Sequence, residues 1–91
     1  MKVTVGVLVR GKVQGVYYRQ STKEQALQLG VKGYVQNQQD GSVYLVAQGS
    51  EEQVNSLINW CKRGPLLARV DAVVPETLSE APEFHDFEIR K

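Results

Sequence analysis

Val3, Val5, Val7 and Val9 recur at every second position, and a strand gathers residues of that period onto one face. The alternation stops in Arg10-Gly11-Lys12-Val13-Gln14-Gly15-Val16. Its two glycines admit backbone conformations that other residues avoid, so a loop is expected here. From Tyr18 the period becomes helical. Tyr18, Thr22, Ala26 and Leu29 share one face, which places the helix start close to Arg19 and its end at Gly30.

The remaining elements follow from similar signals. Lys32 to Gln38 reads as a second strand, and Asp40-Gly41 supplies the turn of a hairpin into a third, Ser42 to Gln48. Ser50 and Gln53 have the spacing of a capping box, and Val54, Leu57, Ile58 and Cys61 form the apolar stripe of a second helix that Gly64-Pro65 ends. Arg69 to Val74 reads as strand four, Pro75 to Pro82 as a turn, and Phe84 to Arg90 as a short last strand. The order β-α-β-β-α-β, with one optional further strand, most simply gives an α+β, ferredoxin-like (split βαβ) two-layer sandwich. Its antiparallel sheet would have four to five strands and carry both helices on one face. At 91 residues a single domain over 1–91 is expected, too small for a full dinucleotide-binding fold.

Composition removes several chemistries. Eleven Lys and Arg against ten Asp and Glu leave a net charge of +1, which argues against a general polyanion binder. One cysteine, Cys61, permits no internal disulfide, and with one histidine, His85, the chain is poorly supplied for zinc. Cys61 belongs to an apolar helical stripe and reads as a buried, inert thiol. His85 reads as a surface turn residue. No metal or cofactor is expected. The N-terminal segment lacks the basic start and continuous apolar stretch of a secretory signal, and no segment approaches membrane-spanning length, so a cytoplasmic protein without membrane association is expected.

The segment Gly11 to Arg19 joins a strand to a helix N-terminus. Such a loop can turn several N–H groups toward one point, where the helix start adds unpaired donors. Arg19 stands where its planar guanidinium could grip two oxygens of a phosphate. Alternatively, the glycines merely shape the connection and Arg19 is a solvated first-turn residue. A cation there opposes the helix dipole, and Val16-Tyr17-Tyr18 could wall a pocket, which favours a functional reading. Asn37 either begins the turn toward Asp40-Gly41 or holds something, because asparagine is depleted within strands.

Taken in order, Gly11-Lys12-Val13-Gln14-Gly15-Val16-Tyr17-Tyr18-Arg19, Gly33-Tyr34-Val35-Gln36-Asn37 and Asp40-Gly41-Ser42-Val43 resemble the signature of the acylphosphatase family. The similarity continues through Gly64-Pro65 to Phe87-Glu88-Ile89-Arg90, and so covers essentially the whole chain. One departure is Tyr18, where the family more usually has Phe; the aromatic character is kept. The resemblance implies hydrolysis of small-molecule acyl phosphates to a carboxylate and inorganic phosphate, the latter also an inhibitor, without metal or cofactor. It implies that the backbone amides of Gln14, Gly15, Val16, Tyr17, Tyr18 and Arg19, with the Arg19 guanidinium, hold the phosphate. Asn37 would orient the attacking water.

Two rival classes remain open. An RNA-binding sheet could use Tyr34 and Tyr44 as a base-stacking platform, but the near-neutral charge and the missing RNA-recognition pattern oppose it, and no nucleic acid partner is expected. A domain that binds or senses acyl or carbamoyl phosphate with little turnover is the alternative. A chain running from Met1 to Lys91 favours an independent enzyme, and a monomer is expected.

Overall fold

The valine alternation forms β1 (Lys2–Lys12) in the computed structural model, which describes residues 2–90. Met1 and Lys91, the ends of the expected 1–91 domain, lie outside the described residues. After β1 come α1 (Tyr18–Leu29), β2 (Lys32–Asn37), β3 (Val43–Ser50), α2 (Glu51–Cys61), β4 (Arg69–Thr77) and β5 (Phe87–Arg90). Five strands lie in the order β4-β1-β3-β2-β5, with both helices packed against the sheet. The ferredoxin-like sandwich is therefore present.

Register explains how the alternation makes a core. Val7 faces Leu45 across the β1–β3 ladder, Val9 faces Val43, and Val35 of β2 meets Leu45 from the other side. Against these fully buried residues pack Ala26 of α1 and Val54, Leu57 and Cys61 of α2. α2 begins where its sequence says it should: the Ser50 hydroxyl accepts from the Gln53 amide at 3.1 Å, and Gln53 Oε1 accepts from the Ser50 amide at 2.9 Å. Gly30, in the left-handed conformation, closes α1. His85 is exposed in a bend. Burial pushes the Cys61 thiol up to about 12, in keeping with a packing role.

β2 and β3 are offset from expectation by one or two residues at their ends, and three other boundaries differ for physical reasons. The first strand does not end at Arg10 but runs to Lys12, because the irregularity falls inside it as a bulge between Arg10 and Gly11. Gly11 has φ +133, and an added Cβ would lie 2.1 Å from the Arg69 carbonyl oxygen, so the approach of β4 requires glycine. Strand four likewise passes through Pro75 to Thr77, where a turn was expected. β4 is an edge strand, and an edge tolerates a residue without an N–H. The last strand starts at Phe87, not Phe84, and pairs in parallel with β2. The sheet is thus mixed: β1 to β4 are antiparallel as expected, and β5 is not. Between β4 and β5 the chain crosses from one sheet edge to the other, and periodicity does not encode strand direction.

Candidate active site

The loop between β1 and α1 is shaped by two left-handed residues. Gly15 has φ +76 and Tyr17, the N-cap of α1, has φ 62 and ψ 23. Tyr17 is the one non-glycine residue with positive φ among the described residues. Left-handed residues at such close spacing turn successive N–H groups to one side and make a concavity suited to an anion. No side chain caps α1 and no acidic residue stands in its first turn, whereas α2 has a complete capping box and Glu51 and Glu52 in its first turn. The donors at the start of α1 are therefore without the side-chain acceptors that serve α2.

These donors border a cavity of about 410 Å³. Gly15, Tyr17, Tyr18 and Arg19 line it from the loop, Gln20 and Asn37 add polar groups, and Val13 and Ile89 add apolar walls. Cavities of similar size open elsewhere on the molecule, so volume does not single this one out. Its lining does. Arg19 is the one charged residue among those lining it, and no acid is among them. Asn37 closes β2 opposite Val43, and its Oδ1 is buried yet accepts no hydrogen bond. An unpaired buried acceptor is costly and uncommon, and it is most easily understood where a ligand or water completes it.

The side chains of two expected residues are turned to other work, while the expectation for both concerns the backbone amide. Val16 is 5% exposed and belongs to the core. Gln14 is not among the lining residues; its Nε2 donates to the carbonyls of Gln38 at 2.8 Å and Ser42 at 2.9 Å. It thereby ties the glycine loop to the turn that follows Asn37, a structural role that the sequence did not suggest. Gln14→Ala deprives both carbonyls of a donor. A loss of about 1–2 kcal/mol in urea unfolding with an unchanged m-value is expected; a variant as stable as the parent would show that the backbone donors these carbonyls also have, the Gly41 N–H on Gln38 and the Gln38 N–H on Ser42, suffice.

Two further ties were invisible in the sequence. Arg19 Nη1 donates to the Arg90 carbonyl at 3.1 Å, so β5 orients the guanidinium from the far end of the chain. Tyr18, 1% exposed, donates its hydroxyl to the Cys61 carbonyl at 2.8 Å and pins the loop to the end of α2. Tyr34 and Tyr44, the pair a base-stacking sheet would use, are engaged within the protein. The Arg90 guanidinium lies 3.8 Å from the centre of the Tyr34 ring, and the Tyr44 hydroxyl crowds Gly6.

Residues 5–89 match the profile of the acylphosphatase family. The chain is 48% identical over 90 residues to an acylphosphatase of Nitrosococcus oceani, covering 99% of this chain and 100% of the relative. To one of Methylococcus capsulatus it is 47% identical over 85 residues, covering 93% and 92%. The structure of an acylphosphatase from Coxiella burnetii superposes with a TM-score of 0.93 at 36% identity, covering 98% of this chain and 93% of that one. The chain belongs to the acylphosphatase family. The Tyr18 hydroxyl supplies a buried bond to α2 that a phenylalanine could not make.

Proposed function

We propose that this chain hydrolyses acyl phosphates, with the phosphoryl group held by Arg19 and the loop amides of residues 14–19 and the attacking water oriented by Asn37. The observation that carries this reading is the convergence of Arg19, the uncapped start of α1 and the unpaired Asn37 amide oxygen on one cavity. Water attacks phosphorus, the bond from phosphorus to the carboxylate oxygen breaks, and its electron pair leaves with the carboxylate. Transferring a phosphoryl group demands mainly positioning and neutralisation of charge on the equatorial oxygens, which amides and one guanidinium supply. A carboxylate has a conjugate-acid pKa of about 4, so it departs without a protein general acid. No metal or cofactor enters this scheme, and inorganic phosphate, the product, competes for the same donors. The reading is of a cytoplasmic monomer; no helix among the described residues is long and apolar enough to cross a membrane.

Phosphate release from a small aryl acyl phosphate such as benzoyl phosphate tests the proposal. Saturable binding without release would replace it with a sensing role for acyl or carbamoyl phosphate.

Gly15 gives a second test. An added Cβ would meet no protein atom within 4 Å, so Gly15→Ala acts through the backbone angle rather than a clash. Holding alanine at positive φ costs about 1–2 kcal/mol, and relief of that strain would distort the loop. Inhibition by inorganic phosphate should weaken severalfold, measured as Ki beside a thermal melt. A variant with the parent's phosphate affinity would place the cradle elsewhere.

A further inference from the structure

Tyr17 has no evident part in holding the fold together. It is 78% exposed, and it caps α1 without a side-chain hydrogen bond. The aromatic pairs of the molecule are Tyr18 with Trp60 and Tyr34 with Phe84, among the described residues. Yet Tyr17 occupies a left-handed conformation that glycine adopts freely and asparagine more readily than any aromatic residue. A bulky ring in that position costs backbone energy and gives little packing in return, which directs attention to what lies outside the fold.

There, Tyr17 lines the same cavity as Arg19 and Asn37. With the phosphoryl group of a substrate at Arg19 and the start of α1, the acyl group must extend away from those donors. Among the lining residues Tyr17 offers a large, open aromatic surface, and Ile89 adds an aliphatic one. Small-molecule sites of this kind take specificity from apolar walls around a few placed polar groups. We propose that Tyr17 determines specificity, favouring acyl phosphates whose acyl group is aromatic or bulky and apolar by packing that group against its ring. This rests on the assignment of the phosphoryl site made above.

The test compares kcat/KM for benzoyl phosphate and acetyl phosphate in the wild type, Tyr17→Ala and Tyr17→Phe. The two substrates differ in intrinsic reactivity, but that difference is the same for every variant, so a change in their ratio isolates the acyl contact. In Tyr17→Ala the benzoyl-to-acetyl ratio should fall about fivefold to tenfold, carried by KM for benzoyl phosphate, as expected for loss of a ring contact. Tyr17→Phe keeps the ring and should restore most of the ratio. A parallel loss on both substrates overturns the proposal, because Tyr17 would then act through the loop backbone; an unchanged ratio overturns it too. Absence of phosphate release by the wild type on either substrate is a different failure, since it removes the hydrolytic reading beneath.

Discussion

Replacing Arg19 with alanine should lower kcat/KM for an acyl phosphate by about a hundredfold or more and weaken competitive inhibition by inorganic phosphate. Arg19 is the one charged residue lining the cavity. Its loss therefore leaves the charge on the phosphoryl oxygens to neutral dipoles alone. Removing one preorganised donor from such a site costs on the order of 3 kcal/mol, which is roughly a hundredfold in rate. Arg19→Lys should also fail. One arm of the guanidinium is already committed to the Arg90 carbonyl at 3.1 Å, and the planar fork lets the remaining N–H groups address the anion while that anchor holds. An ammonium group has no such fork. Steady-state kinetics and phosphate Ki values on both variants check this, and retention of more than about a third of wild-type activity in Arg19→Ala would refute the assignment.

How far the site could be read from the sequence depended on whether its determinants are local. The β1 alternation, the Gly30 cap and the Ser50–Gln53 box each act within a few residues, and each is found where the spacing placed it. Gly11 and Pro75 misled because their meaning is set by a neighbouring strand: one permits a close approach of β4, the other is tolerated because β4 lies at an edge. The glycine loop and Arg19 were legible as an anion-binding candidate because a strand, two glycines and a helix start are consecutive. Gln14 and Arg90 were not legible in their observed roles. Gln14 reaches carbonyls 24 and 28 residues away, and Arg90 meets Arg19 across 71 residues. Such pairings follow from sheet topology, above all from the parallel β5, and no local pattern records them.

The two helix starts also show how local rules and function separate. α2 satisfies its first amides internally, with a hydroxyl cap, a reciprocal glutamine and two acids near its positive end. α1 does none of this and carries a cation in its place. By stability alone the second arrangement is the poorer one, and its presence beside a cavity is accounted for if an anion supplies the missing acceptors.

Asn37→Ala should separate catalysis from stability. Were Asn37 a turn residue, its removal would loosen the β2–β3 connection. That turn is instead closed by Asp40, whose Oδ1 accepts from the Ser42 amide at 2.9 Å and from the Ser42 hydroxyl, bonds that hold its carboxyl below the usual carboxylate range. Asn37 Oδ1 accepts nothing, so truncation breaks no hydrogen bond at that atom and removes a buried polar group. The melting temperature should therefore be unchanged or higher. Catalysis should move the other way. An amide can accept from a water while donating to a substrate oxygen, and losing that alignment should lower kcat by roughly a hundredfold while phosphate still binds within a few-fold of the parent. Asn37→Asp should do no better, since it sets a negative charge beside an anionic substrate and deletes the donor. Thermal melts and kinetics on one Asn37→Ala preparation decide the matter: a destabilised variant with full activity per folded molecule would return Asn37 to a structural role and leave the catalytic water to another group.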